Sequence, residues 1–364
     1  MSPFPNLSIW RNLIRDSSAL LTPLKQVNTT KQDIISCRIT AFYRSYGTVH
    51  NESKLWPADL STSRLELKSH PLGWEAIQKR VEPYFVQNWD FEHDHERKGL
   101  MKIGLSRAFD VFFPLVLDDR VDATGRLHYL ILLIDDQMVK MNASEMLQYR
   151  DRVMDIARGN VSPNREICLE WMLYDTLDSM RKIDESLTSD VVEGFCALIQ
   201  GQTAEHRLTV KHLGPYLEFR EIDVGRPFYT ALIRFGANLN LTAVELEQTA
   251  ILESHASRFF GIFNDVYSWD REWKNHCENK TDGSYPFSAV FTLAQETGLS
   301  YPACQRMMLV YCRELEIAFK QASEDLRNKT DGTLRPEMVK YIKGLEYFMS
   351  GVESWTKWSP RYRI

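Results

Sequence analysis

Phe263-Asn264-Asp265-Val266-Tyr267-Ser268-Trp269-Asp270-Arg271-Glu272 sets three oxygen-bearing side chains, Asn264, Ser268 and Glu272, four residues apart. At about 100° per residue, an α-helix drifts only ~40° between successive members of such a series. The three therefore share one face over roughly 12 Å of axis. One carboxylate with an amide and a hydroxyl suits a hard cation such as Mg²⁺ or Mn²⁺, whereas zinc and copper favour imidazole and thiolate. Mg²⁺ usually takes one or two carboxylates and completes its shell with substrate phosphate, so the triplet predicts a phosphorylated ligand. Arg271 returns to within roughly 20° of the same face, where a guanidinium can grip a phosphate bidentately. Asp265 and Asp270 fall to the sides. The competing reading is a solvated, charged helix face.

Outward from this stretch, apolar residues recur at helical spacing, and alternating β-branched runs or Asn-Gly and Asp-Gly hairpin signals are nearly absent. The pattern predicts helices over 73–87, 99–116, 124–140, 143–158, 164–183, 190–209, 215–222, 227–235, 243–274, 301–328 and 336–357. Breakers fall at Val161-Ser162-Pro163-Asn164, Leu213-Gly214-Pro215 and Gly283-Ser284-Tyr285-Pro286, and none is a long linker. The expectation is an all-α fold, one helical domain over residues 1–364. The less periodic residues 1–70, with Pro23, Pro57 and Pro71, are expected to pack on its outside.

The chain has 364 residues, 44% of them apolar, enough for a large core. A net charge of −5 without a basic stripe argues against nucleic-acid binding. Cys37, Cys168, Cys196, Cys277, Cys304 and Cys312 form no CxxC pair and read as buried thiols of a reducing compartment. Met1 to Pro5 lacks the charged and apolar regions of a secretory signal. No apolar run, Leu130–Ile134 included, is long enough to span a bilayer. A soluble, cytoplasmic protein without stable membrane insertion is expected.

That apolar run leads directly into Asp135-Asp136, two carboxylates that are costly to bury unless paired or metal-bound. They should meet a cation at the rim of a cavity. One turn on from Asp135 stands Val139, where a third acid would extend the cluster. A competing cluster, Asp118-Asp119-Arg120-Val121-Asp122, lies beside Arg120, Gly125 and Arg126, just past Pro114, and reads as a solvated helix end or turn. Farther on, Arg220, Asp223, Val224, Gly225 and Pro227 mark a helix break that exposes carbonyls, with Asp223 in reach of Arg220. Trp355 precedes a terminal Arg361-Tyr362 pair. Alternatives are an ordinary salt bridge at the break and a basic tail with two core tryptophans.

Taken together, these residues resemble the class I terpene synthases, most of all the fungal and microbial sesquiterpene cyclases. That family combines an aspartate-rich motif, an Arg sensor followed three residues later by Asp, an (N/D)DxxSxxx(E/D) motif and a terminal Arg-Tyr pair. Here these are Asp135-Asp136, Arg220 with Asp223, Asn264-Asp265-Ser268-Glu272 and Arg361-Tyr362, in the same order. The resemblance runs from about residue 100 to the end, and its second motif is the most specific part. It implies a helical bundle with a central apolar cavity, Mg²⁺ (three ions, with Mn²⁺ as an alternative), and Asp135, Asp136, Asn264, Ser268 and Glu272 as metal ligands. It further implies Arg220, Arg271, Arg361 and Tyr362 as diphosphate ligands, with Asp223 as linker and Val224 as the residue whose carbonyl faces substrate. Trp355 would face carbocations. Val139 departs from the family pattern.

Helical spacing adds Leu132 and Phe260 as cavity residues, and Phe112, Phe113, Phe259 and Phe263 as further aromatic candidates. The reaction implied is ionisation and cyclisation of a prenyl diphosphate, farnesyl diphosphate first and geranylgeranyl diphosphate as the alternative. A prenyl-chain elongating synthase shares the fold, but uses two aspartate-rich motifs. A noncatalytic helical scaffold is the reading from another class, and a homodimer is compatible with all of these.

Overall fold

Helical periodicity, punctuated by caps, Gly and Pro, builds an all-α bundle. The computed structural model describes residues 63–362, apart from residue 92 and segments 280–284 and 330–332, and no strand occurs among them. The helices are α1 (Trp74–Asn88), α2 (Asp94–Ile103), α3 (Leu105–Phe112), α4 (Val121–Met138), α5 (Ala143–Arg158), α6 (Cys168–Ile183) and α7 (Glu185–Gln202). There follow α8 (Leu213–Asp223), α9 (Arg226–Ala237), α10 (Ala243–Asn279), α11 (Ala289–Thr297), α12 (Tyr301–Lys329) and α13 (Pro336–Trp358). Short 3₁₀ turns stand at Asp118–Arg120, Glu205–Leu208 and Pro360–Tyr362. All described residues lie within one unit, Glu52–Ile364. No described helix is long and apolar enough to cross a membrane.

The motif helix α10 starts on a reciprocal cap: Thr242 Oγ1 accepts from Glu245 N at 3.3 Å, and Glu245 Oε2 accepts from Thr242 N at 2.8 Å. Its buried Leu252, Ala256, Phe259, Ile262, Phe263, Val266 and Trp269 follow helical spacing, and the helix packs on α12 and α13. Each large apolar side chain so buried stabilises by roughly 1.5–3 kcal/mol. That anchoring holds the face with Phe260, Asn264 and Ser268 in a fixed direction. Segment 63–66 lies along α12 and α13, where Ser63 N donates to Glu353 Oε1 and Arg64 N to Glu316 Oε2. Both carboxylates are bridged by buried Arg313. The rest of the 1–70 expectation, residues 1–62, lies outside the described residues, as does Cys37. Cys196, Cys304 and Cys312 are buried free thiols, but Cys277 is exposed and Cys168 half-buried, which corrects the expectation of uniformly buried cysteines.

Three helix expectations need correction. The segment 99–116 is two helices, not one, because Gly104 sits at φ 73° between α2 and α3, a left-handed conformation that glycine adopts without steric cost. A Cβ there would lie 2.4 Å from the Trp358 ring. Gly104→Ala should therefore cost roughly 2–4 kcal/mol, from backbone strain together with overpacking against Trp358; urea unfolding would register it as a lower midpoint. The segment 190–209 begins earlier, at Glu185, because Asp184 caps it by accepting from Leu187 N at 3.0 Å, and it ends at Gln202. Finally, α11 was not anticipated. It has nine residues, bounded by the Ser288 cap and Gly298 in the left-handed region, too short for periodicity to reveal.

Candidate active site

The apolar run of α4 enters the core through Leu130, Ile131 and Ile134, and delivers Asp135 and Asp136 to the last turn of that helix. Their side chains are 41% and 44% exposed. Burial and the neighbouring Asp136 nonetheless raise the Asp135 pKa, opposed by Arg361 and Arg271. Water reaches both carboxylates, while the Arg361 side chain against them is only 7% exposed, so the pair stands at the rim of a recess. Arg361 crosses that recess, donating to Asp136 Oδ1 at 2.8 Å and Oδ2 at 3.3 Å, and lying 3.7 Å from Asp135 Oδ2. Burial opposes its charge, yet Asp136 and Asp135 outweigh burial and hold it above the ordinary arginine range. Val139 caps the C-terminus of α4, so the helix ends where a third acid would stand. In its place, Gln202 at the end of α7 donates to Asp135 Oδ1 at 3.2 Å.

The break between α8 and α9 lies where Gly225 and Pro227 call for it: Val224 caps α8, Gly225 is left-handed at φ 91°, and Pro227 opens α9. Val224 is buried, and its N–H closes the helix on Arg220 O at 2.8 Å. One turn back, Arg220 Nη1 binds the fully buried Asp223, while Nη2 donates to Asn264 Oδ1 at 3.0 Å and Asp265 Oδ1 at 2.8 Å. Gly261 makes room for this fork, since a Cβ on it would stand 3.0 Å from Arg220 Cγ.

Asp265, placed at the side of the stripe by helical arithmetic, proves to be the bracket. It accepts from Arg220, from Tyr216 Oη and from Ala289 N at 2.9 Å, which ties α8, α10 and α11 together. Burial pushes its pKa up to about 6 against the pull of Arg220. Neither Gln202 nor the Tyr216 contact carries a local sequence signal.

Asn264 donates from Nδ2 to Tyr362 Oη at 3.1 Å, so the motif helix and the chain end meet directly. Ser268 is buried, with Oγ donating to Asn264 O at 2.6 Å. Glu272 is 31% exposed, and Arg271 is its neighbour at 3.9 Å. Arg271 and Glu272 both act electrostatically on Asp135, in opposite senses, so α10 and the end of α4 face one another across the recess. Among the described residues no three His, Cys, Asp or Glu side chains cluster as a metal site by themselves. The donors brought together are instead hard oxygens, with carboxylates open to the recess on both sides. That set fits a divalent cation of the Mg²⁺ kind. The rival cluster is engaged elsewhere: Arg80 pairs with Asp118 at 2.7 Å and Asp122 at 3.0 Å, and Asp118 is 74% exposed.

Beneath the polar rim the rings of Phe112, Phe113, Tyr229, Phe260, Phe348 and Trp355 converge, with centroids between 5.2 Å and 6.4 Å. Trp355 stands edge-on to Tyr362 at 5.5 Å and is fixed by its Nε1 donating to Gly104 O at 3.0 Å. Leu132 is half-buried against the apolar core. Phe259 and Phe263, candidates on spacing, stack on each other at 4.9 Å and lie under Arg313 instead, because their side of α10 is the one anchored to α12 and α13.

His128, two turns before Asp135 on α4, also enters the basin, 5.4 Å from Phe113, 5.7 Å from Phe112 and 6.3 Å from Tyr229. Burial lowers its pKa from 6.5 to about 4. As pH falls through that window the unfolded chain takes up a proton that the folded chain refuses, so stability present above pH 6.5 is lost toward pH 4. The difference corresponds to roughly 3 kcal/mol. Urea unfolding should show that loss in the unaltered protein, and His128→Leu should flatten it.

Comparison with known proteins gives a family and several relatives. A family model described as terpene synthase family 2, C-terminal metal binding, matches residues 126–341. Aristolochene synthase of Aspergillus terreus is 34% identical over 295 residues, 81% of this chain and 91% of that protein. The Penicillium roqueforti aristolochene synthase is 35% identical over 86% of this chain and 90% of that protein. Its crystal structure superposes with a TM-score of 0.70, covering 81% of this chain and 98% of that one at 34% identity. Hedycaryol synthase in complex with nerolidol, at 17% identity, covers 80% of this chain and 96% of that one with a TM-score of 0.66, a likeness of fold alone.

Proposed function

The chain belongs to the class I terpene synthases, and from that premise we propose that it ionises farnesyl diphosphate and cyclises the cation to a sesquiterpene, releasing diphosphate. The observation that carries this reading is the meeting of two polar walls over an aromatic basin. Asp135 and Asp136 bridge to Arg361 on one side, and Asn264 joins Arg220 and Tyr362 on the other. Both relatives named above are aristolochene synthases, matched over about nine-tenths of their length. That coverage also supports a single catalytic domain for the chain.

The family is a metal-binding one, and Mg²⁺, as three ions with Mn²⁺ as a substitute, is the cofactor we assign. Asp135 and Asp136 would hold it on one wall, and Asn264, Ser268 and Glu272 on the other. Bound, it supplies Lewis-acid neutralisation of the departing diphosphate. Arg220, Arg271, Arg361 and Tyr362 bind and orient the diphosphate, with its oxygens competing against Asp136 for the Arg361 guanidinium. Asp223 holds Arg220 in place, and the Val224 carbonyl at the helix break faces the ionising carbon. Trp355, Phe260 and Leu132 exclude water and, through the ring faces, stabilise cationic carbon by roughly 0.5–2 kcal/mol per ring. Free thiols at Cys196, Cys304 and Cys312 support a reducing, cytoplasmic setting.

Incubation with C10, C15 and C20 prenyl diphosphates and Mg²⁺, followed by product analysis, tests the substrate. A cyclic C15 hydrocarbon made without a second substrate is expected. A C20 product is the other reading to test, and a cyclopiane-type diterpene synthase of Penicillium chrysogenum does match, but at 26% identity over 32% of its length. A requirement for isopentenyl diphosphate would mean chain elongation instead.

A further inference from the structure

His128 has no hydrogen-bond partner on either ring nitrogen among the described residues and is 5% exposed. A buried polar side chain left unpaired is disfavoured in a core and calls for a reason. The rings of Phe112, Phe113 and Tyr229 stand edge-on to it, at 67°, 78° and 70°, and pack its ring without giving either nitrogen a hydrogen-bond partner. Apolar packing would be served better by a leucine. The ring belongs to the same face of α4 as Leu132 and Asp135, four and seven residues on, which sets it about 10.5 Å of helix axis deeper than the carboxylate. A prenyl chain tethered by its diphosphate at Asp135 would extend down that face, past Leu132, to the imidazole.

We propose that His128 is the base that ends the reaction, taking a proton from the carbocation inside the basin. This rests on the cyclase reading given above. In the step, a C–H bond next to the cationic carbon breaks and its electron pair becomes the second bond of an alkene. The proton forms an N–H bond at the unprotonated ring nitrogen, and the charge passes from carbon to imidazolium. When the product leaves, the imidazolium yields its proton to water or to the departing diphosphate. No oxidant or second substrate is needed. Of the rings named in the basin His128 alone carries a basic nitrogen. The same burial that keeps it neutral at pH 7 makes its conjugate acid shed the proton readily.

The test uses the full chain with farnesyl diphosphate and Mg²⁺, reading total diphosphate release separately from the hydrocarbon profile. His128→Ala and His128→Leu should keep diphosphate release within about threefold, since ionisation is carried at the rim, while the share of the main product falls about tenfold or more. Earlier-quenched alkenes or alcohols should take its place. His128→Leu replaces an unpaired polar group with an apolar one, so thermal unfolding should show it folded and no less stable. Millimolar imidazole should restore the main product in His128→Ala at least about threefold. Pyrrole, a ring of the same size without a basic nitrogen, should not. The proposal is overturned if His128→Leu keeps the original product, if imidazole fails to restore it, or if pyrrole restores it equally. Absence of diphosphate release by the unaltered protein would instead defeat the cyclase reading itself.

Discussion

Glu272→Gln should lower the rate of diphosphate release from farnesyl diphosphate by about 10²-fold or more, with Asn264→Ala close behind. Glu272 is the only carboxylate of the Asn264, Ser268, Glu272 stripe; it is 31% exposed, has Arg271 as a distant neighbour at 3.9 Å, and its charge is felt by Asp135. Gln keeps the shape and removes the charge that holds a hard cation. Asn264 has a second duty, since its amide spans Arg220 at 3.0 Å and Tyr362 at 3.1 Å. Its loss should therefore weaken binding of the diphosphate as well, raising KM along with the fall in kcat. Steady-state kinetics at saturating Mg²⁺ separates the two. Rates within a few-fold of the unaltered protein would remove the stripe from the site.

Arg220→Met should cost stability as well as activity. Its guanidinium serves Asp223 and Asp265, both fully buried, and Tyr216 shares the second carboxylate. Removing one partner from a buried charge network strands the others, a loss of about 3–5 kcal/mol. Arg220→Lys restores a charge but not the planar fork that reaches Asp223, Asn264 and Asp265 together. Chemical denaturation should rank the unaltered protein above Arg220→Lys, and that above Arg220→Met. Both variants should lose about 10²-fold or more in diphosphate release. A stable, inactive Arg220→Met would mean that Arg220 acts on substrate alone and that Asp265 is held by other groups.

Much of this site was readable in advance because its signals are local. A four-residue interval fixes one face of α10, an apolar run fixes where Asp135 surfaces, and Gly225 with Pro227 fixes the break that ends α8. Asp265 was not readable as the bracket, since its importance comes from Tyr216 on α8 and the N-terminus of α11, neither near it in sequence. Gln202 was equally silent: a glutamine at the end of α7 means something only once α7 lies beside Asp135. Spacing singles out Phe260, one turn before Asn264, and leaves Phe259 and Phe263 as lesser candidates; the packing of α10 on α12 and α13 puts Phe260 among the basin rings and those two in the core. His128 shows the same limit, because nothing in its sequence neighbourhood says that its ring nitrogens are left without partners.

The most direct measurement is release of inorganic diphosphate from farnesyl diphosphate by the purified protein with Mg²⁺, run alongside product analysis and with a chelator as control. The expected result is stoichiometric diphosphate and cyclic C15 hydrocarbon, both abolished when the metal is removed. Unconsumed farnesyl diphosphate under those conditions, or diphosphate release that persists without metal, would contradict the assignment of the Asp135, Arg220, Asn264 and Arg361 walls as a metal-assisted diphosphate clamp.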